Sequence, residues 1–379
     1  MTERNIYDCA VIGGGLAGLT LAIQLKQQGY EVVLFEKEAY PYHKVCGEYI
    51  GMESYCFLQR CGVPLEQMDL PRITKLKVSA PGGRMLHHSL SPGGFGISRF
   101  TLDKILADIA VSSGVALYEH TRVSDVQFEG GVFSTHTSKG IFTSRTAAGT
   151  YGKRSNLDVK WKRPFVHQST RKLNDYIGVK YHVQADLPAN EIGLHNFSGG
   201  YCGISKVDDN RYCLCYLSEG ENLKRAGNNI HEMEKRFLHR NPYLKEFFTS
   251  FPSLYDQPLA ISQVSFGSKQ AVEHHVLMAG DAAGLITPLC GNGMSMAMHA
   301  SAILATEIAS FLQGTQSLMQ LEERYARLWK ECFSTRLRAG RFVQSLFGDP
   351  LLTDLTISLL RPFPFVVNKL VSLTHGQAF

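Results

Sequence analysis

The chain has 379 residues, a net charge of +5, 44% hydrophobic residues and 19% charged ones. That is long enough for two domains with separate cores, and the balance is that of a globular protein. The mild charge, with no dense Lys/Arg tract and no zinc-finger spacing, speaks against a nucleic-acid partner. The nine cysteines are scattered, with no CxxC pair, which fits reduced thiols and no metal site. No apolar run approaches the roughly 20 residues of a membrane span. The first strand begins within about six residues of the chain start, so no signal peptide is expected. The expectation is a cytoplasmic protein.

Cys9 to Ile12 predicts a buried strand, after which glycines open an amphipathic helix ending near Gly29. Gly13 allows a tight turn, Gly15 lets backbone approach a pyrophosphate, and Gly18 lets helix and strand pack closely. Leu16 and Ala17 stand in the first helical turn, where free N–H groups and the positive dipole end favour phosphate. A second apolar strand, Glu31 to Phe35, closes on Glu36. An acid about 20 residues past the glycines is placed to hold a ribose hydroxyl pair. Strand, helix, strand and acid in register mark a dinucleotide site.

In the loop Lys37 to Glu48, residues Lys44, Cys46 and Glu48 alternate with Val45 and Gly47, so an extended loop puts the three on one face. They read either as a site wall beside a cofactor ring or as a solvated surface loop. Spacing alone favours the surface for Lys44 and Glu48 and leaves Cys46 open. From about Leu70 to Gly96 the pattern turns hairpin-like around Pro81-Gly82-Gly83, an excursion into a second domain. Thr101 then caps a helix carrying Leu102, Ile105, Leu106 and Ile109, ended by Gly114. Strands follow around Val115–Tyr118, Thr121–Phe128 (with Val123), Val132–Thr137 and Ile141–Ala148.

From Trp161 to about Val264 short alternating segments predict, with the earlier excursion, one largely antiparallel substrate sheet. Cys213 and Cys215 share a strand face there and read as packing. Val276–Ala279 is a buried strand, and Gly280 to Gly293 leads into a helix from Met294 to about Leu312. Gly291 and Gly293 would leave N–H groups free at that helix start, suited to a carbonyl or ring nitrogen. Leu321, Tyr325, Leu328 and Cys332 form a helical stripe, and Asp349-Pro350, a cap with proline at the first helical position, opens an apolar tail that includes Leu351, Leu352, Leu355, Leu359 and Leu360.

The pieces GGGLAG (Gly13 to Gly18), Glu36, KVCGE (Lys44 to Glu48), Arg99 with Asp103, and GDAAGLITPLCGNG (Gly280 to Gly293) together resemble the FAD-dependent superfamily of geranylgeranyl reductases, aromatic-ring hydroxylases and flavin halogenases. The resemblance spans nearly the whole chain. It implies an α/β chain: a Rossmann-like FAD-binding domain (1–69, 97–155, 265–315), an inserted β-sheet domain of α+β type (70–96, 156–264) and a helical C-terminal cap (316–379). It implies FAD, with NAD(P)H as a candidate electron donor. Gly13, Gly15, Leu16, Ala17 and Gly18 would hold the pyrophosphate, and Glu36 with Lys37 the adenosine ribose. Arg99 and Gly280–Asp281 would serve the phosphate or ribityl region. Lys44, Cys46, Gly47, Val123, Pro288, Gly291, Asn292, Gly293 and Met294 complete the contacts.

Two departures from the family pattern bear on function. Tyr151-Gly152 stands where hydroxylases carry Asp-Gly, although Lys153 and Arg154 suit an anionic donor. Tyr201-Cys202-Gly203 keeps the reductases' tyrosine without its bulky partners, which predicts a wider or more polar pocket. The only tryptophans are Trp161 and Trp329, so the tryptophan halogenase motif is missing and halogenation ranks low. The expectation is a flavin monooxygenase, working through a flavin hydroperoxide on a hydrophobic small molecule. A prenyl-type reductase of carbon–carbon double bonds and a flavin electron carrier are the alternatives. Cys46, Glu48 and Tyr201 are the candidate catalytic residues, with His43 a further acid–base candidate. The C-terminal helices raise the alternative of peripheral membrane association, and the oligomeric state stays open.

Overall fold

The computed structural model describes residues 6–167, 176–264 and 266–379. The first five residues, 168–175 inside the stretch read as sheet, and Ser265, where the third cofactor-domain segment was expected to begin, lie outside these. In chain order the first strands are β1 Tyr7–Ile12, β2 Val32–Phe35, β3 Tyr49–Gly51, β4 Arg72–Ser79, β5 Met85–Gly96, β6 Ala116–Tyr118, β7 Val123–Glu129 and β8 Val132–Thr137. They are followed by β9 Gly140–Gly149, β10 Tyr176–Val183, β11 Glu191–Phe197, β12 Gly200–Lys206, β13 Tyr212–Glu219, β14 Leu259–Val264, β15 Val272–Glu273 and β16 Val276–Met278.

One sheet runs β15-β16-β9-β1-β2-β6, with the β7–β8 hairpin attached through β9. Its central strands are parallel and in step. Ile12 pairs with Phe35 on one side and Gly149 on the other, and Gly149 pairs with Met278. These strand ends therefore form one row, and the loops that follow them leave the sheet at the same edge. Both faces are covered at this end, where Cys9–Ile12, Val32–Phe35, Ala147, Ala148 and Val276–Met278 are apolar and buried.

The second sheet has the order β14-β10-β13-β12-β11-β4-β5-β3 and is antiparallel except where β11 lies parallel to β4. Ile177, Val179, Tyr181 and Val183 of β10 enter a core on one face. Gly178 of the same strand opens toward the other face, and that face carries the site. The first face is closed by helices Gly220–Arg225, Ile230–Phe237 and Pro242–Ser250, where sheet alone was expected. Met233, Phe237, Leu244 and Phe247 point into that core at helical spacing, and Asn229 and Asn241 cap two of the helices.

Three further differences have local causes. The helix Arg99–Ser112 is capped by Ser98, whose side chain accepts from Thr101 N–H, so Thr101 lies inside it. In the helix Leu318–Ser345 the buried stripe is Leu321, Tyr325, Trp329 and Phe333. Spacing of four throughout keeps the large rings inward and leaves Leu328 and Cys332 at its edge. Tyr49–Gly51, expected with the cofactor domain, pairs with β5 of the second sheet. Leu157, expected with the sheet domain, sits in the first core.

His195 lies in the second sheet, 3% exposed, 2.9 Å from Ser79 Oγ. Burial and Lys77 press its pKa from 6.5 down to about 3. Between those values the unfolded chain takes up a proton that the folded one refuses. Stability is therefore full above pH 6.5 and falls with decreasing pH, by at most about 1.4 kcal/mol per pH unit from this group. Urea midpoints measured from about pH 7 to about pH 4 should fall, and His195→Asn should flatten the slope.

Candidate functional site

The row of strand ends opens onto a cavity of about 1030 Å³. At one end stand the glycine turn and Glu36. Gly13 has φ +107°, and a Cβ on Gly18 would lie 2.0 Å from Gly13 O, so helix and strand pack as closely as expected. A Cβ on Gly15 would meet nothing nearer than Arg99 Nη2 at 3.9 Å, which leaves the backbone open toward the cavity. Glu36 is buried and accepts from Gly14 N–H at 2.8 Å and Glu38 N–H at 3.1 Å. Leu16, Ala17, Lys37 and Val123 also line this end. Gly18 stands behind the wall.

Arg99 is held by Asp103 through two bonds of 2.7 and 2.8 Å, and Lys44 Nζ lies 2.8 Å from the same carboxylate. Burial alone would raise the Asp103 pKa, but Arg99 and Lys44 outweigh it and hold it below the usual range. Lys44 is thus a structural cation, and Glu48 is fully buried. Both differ from the surface reading that spacing favoured. Glu48 Oε1 accepts from Lys180 Nζ at 2.5 Å and Arg99 N–H at 2.8 Å, while Oε2 lies 2.6 Å from His182 Nε2. A ring nitrogen of His182, Cys213 Sγ and a Glu48 oxygen lie within 4.8 Å of one another, but the Lys180 ammonium already sits on that carboxylate.

Lys180 and His182 were missed by the sequence reading, although two charged residues of equal parity in an apolar strand are a signal. Cys213 does more than pack: its Sγ donates to Cys46 O at 3.2 Å and so fastens the KVCGE loop to β13. Cys46 lies on the wall, with its thiol pKa raised by desolvation, so it is a neutral thiol rather than a thiolate.

Gly280, Asp281, Pro288, Gly291, Gly293 and Met294 line the cavity beside Gly15 and Ala17. The Asp281 main chain is fixed by Lys269, whose Nζ donates to Asp281 O and Lys153 O at 2.7 Å each. Buried Arg163 ties Ala282 O to Asp158. Neither Lys269 nor Arg163 was anticipated. Among the described residues the Asp281 carboxylate has no hydrogen bond, and desolvation pushes its pKa up. It is half-buried at the cavity wall, where solvent or a bound polyol can supply its donor. The Gly291 N–H donates to Pro288 O at 2.9 Å, so one of the two N–H groups expected free is taken. Asn292 is off the wall: its Nδ2 donates to Thr374 O at 2.5 Å.

The far end is apolar. Leu76, Val78, Leu194 and Leu217 of the second sheet face Phe347, in the turn after the helix Leu318–Ser345, and Ile357, Leu360 and Val371 of the C-terminal helices. Tyr201 lies between, its buried hydroxyl without a partner among the described residues. The pocket is wide and apolar, not polar.

An open glycine turn, an acid beside it and an unsatisfied carboxylate on the third loop fit the pyrophosphate, ribose and polyol of FAD. The profile of an NAD(P)-binding Rossmann-like domain matches residues 11–41. The chain is 24% identical over 400 residues to conditioned medium factor receptor 1 of Dictyostelium discoideum, covering 99% of this chain and 75% of that protein. It is 23% identical over 358 residues to digeranylgeranylglycerophospholipid reductase 2 of Methanopyrus kandleri, covering 90% and 87%. The solved structure of the flavin-dependent brominase Bmp2 shares the fold with a TM-score of 0.79 at 19% identity, over 99% of this chain and 94% of that one.

Fold, site and likenesses define an oxidoreductase built to carry a dinucleotide cofactor. It is an FAD-dependent oxidoreductase, similar to geranylgeranyl reductase-like flavoproteins and FAD-dependent halogenases.

Asp281→Ala removes the unsatisfied carboxylate and should release the flavin. The purified variant should lose most of its flavin absorbance while keeping the wild-type far-ultraviolet circular dichroism.

Proposed function

We propose that the protein is a flavin monooxygenase acting on a lipophilic small molecule. The observation that carries this reading is one continuous cavity, dinucleotide-shaped at one end and apolar at the other. Bound FAD would supply the electron transfer and the reaction with O₂. The chain supplies position and dryness. The glycine turn, Glu36, Arg99 and Asp281 would orient the cofactor, and the leucine-rich far wall would hold the substrate and keep water out. Tyr201 offers a buried hydroxyl that a polar substrate group can pair with.

A second reading, reduction of a carbon–carbon double bond, is supported by Cys46, a neutral thiol on the wall and so a proton source. NAD(P)H is the proposed donor for either, with Lys153 and Arg154 at the rim. Halogenation is a third reading: the tryptophan halogenase motif is missing, while the fold is shared with the flavin-dependent brominase Bmp2.

The C-terminal helices support delivery from a lipid surface. Helices Pro350–Leu360 and Pro364–Thr374 line the cavity with their inner faces. On their outer faces Leu351 (83% exposed), Leu355, Leu359, Phe363 and Phe365 are bare, and Arg361 and Lys369 are exposed among them. Exposed apolar side chains beside cations suit an anionic bilayer. The one described helix long and apolar enough to cross a membrane, Gly293–Leu312, is instead half enclosed by the protein and packs on Leu16–Gln27.

Two measurements test the reading. Flavin reduced anaerobically and then mixed with O₂ should pass through a transient absorbance distinct from both end states; direct reoxidation would favour the reductase. The protein should float with anionic liposomes, and Leu351→Glu/Phe365→Glu should abolish flotation while flavin content is unchanged. Failure of the wild type to float overturns the lipid-surface proposal.

A further inference from the structure

Two buried cations tie the loop that follows β9 to the loop that follows β16. Beyond the Ala279 N–H bond to Gly149 O at 3.1 Å, Arg163 joins Tyr151 Oη to Ala282 O, and Lys269 joins Lys153 O to Asp281 O. Arg163 is neutralised by Asp158 at 2.9 Å. Lys269 bonds no carboxylate among the described residues, and Asp281 and Asp158 favour its charge only through space.

Its surroundings are nevertheless those of an ammonium. Nζ is 2.7 Å from each carbonyl oxygen and 4.4 Å from the centre of the Phe165 ring, and the residue is 8% exposed. The three N–H bonds of an ammonium have two carbonyls and an aromatic face to meet, and a neutral amine would leave one of them unserved. The Asp281 carboxylate stands on the same loop, at the cavity wall. Desolvation pushes its pKa up, and Lys269 opposes this ahead of Arg99 and Lys153. Only when ionised is a carboxyl group purely an acceptor, able to take two hydroxyl donors at once.

We propose that Lys269 is a positioning residue for the flavin: its ammonium sets the Asp281 loop against the Lys153 loop and keeps the Asp281 carboxylate ionised, so that FAD is held tightly only while Lys269 is charged. The inference rests on the reading of Asp281 as the acceptor for the cofactor's polyol hydroxyls.

A dependence on pH follows. Burial, reinforced by Arg163 and Lys153, pulls the Lys269 pKa from 10.5 down to about 8, against Asp281 and Asp158, which raise it. Below that value the charged form is already present and affinity is level. Above it the protein must take up a proton to hold FAD well, so affinity falls with rising pH. Lys153, on the cavity wall, titrates over the same range, its pKa brought to about 8 by burial and Arg154 against Asp281. It is therefore removed from the measurement.

FAD is titrated into flavin-free Lys153→Met protein and its fluorescence followed. The Kd should stay level up to about pH 8 and then rise by up to about tenfold per pH unit. Adding Lys269→Met should raise Kd about tenfold or more at neutral pH and flatten the profile, because both bonds and the charge are lost. Lys269→Gln, which keeps N–H donors without charge, should also give a flat profile. Once Asp281→Ala is present, Lys269→Met should cost no more than about threefold further, since it acts through that carboxylate. A Kd within about threefold of the parent's in Lys269→Met, or a full loss repeated on top of Asp281→Ala, would overturn the proposal. Should Lys269→Met fail to fold, the parent decides alone: a level profile to about pH 9.5 overturns the proposal and a rising one supports it. Wild-type affinity in Asp281→Ala defeats the polyol reading itself, whereas loss in Asp281→Ala without loss in Lys269→Met defeats only the role of Lys269.

Discussion

The register of four parallel strands governs everything else in this molecule. Phe35, Ile12, Gly149 and Met278 stand side by side, so Glu36, Gly13, Thr150 and Ala279 begin their loops at one edge of the sheet. Main-chain N–H groups and two carboxylates from distant parts of the chain then face a common space. A slip of one residue in any pairing would exchange the side chains packed on the two sheet faces and put these loops out of step. The buried core beneath the sheet enforces the register and thereby the site.

The second constraint is electrostatic. Two buried carboxylates, Asp103 and Glu48, each hold two partners: the cations Arg99 and Lys44 for the first, the cation Lys180 and the His182 imidazole for the second. Arg99 also bonds Glu48 through its main chain, which links the pairs. Charges removed from water are costly unless each is paired and hydrogen-bonded, and removing one partner typically costs about 3–5 kcal/mol. The KVCGE loop crosses from one sheet to the other on this network. Its Cys46 stands on the cavity wall because the cations behind the loop are fixed.

The C-terminal helices have two uses at once. Ile357, Leu360 and Val371 close the apolar end of the cavity, so this part of the chain belongs to the pocket as well as to its cover. The outward residues of the same helices are leucine and phenylalanine, which no packing inside the described chain explains. A wall apolar on both sides separates a lipophilic pocket from whatever meets the outside.

The amino-acid sequence determined the parts whose signals are local. Glycines at fixed spacing, an acid at the end of the second strand, the Gly280–Gly284 turn and the Asp349-Pro350 cap depend on neighbours within a turn or a strand, and each is legible from order alone. Tertiary structure decided the rest. Lys180 and His182 come to Glu48 from 132 and 134 positions away, and Tyr255 reaches His182 across a further 73. No short-range period announces such a meeting. Whether Lys44 and Glu48 face water or a core depended on β10 and β13 passing behind them, and whether Gly291 N–H was free depended on how its own turn closed. Periodicity reports which residues turn inward, but the identity of what they meet is set by packing between segments that the chain brings together only when folded.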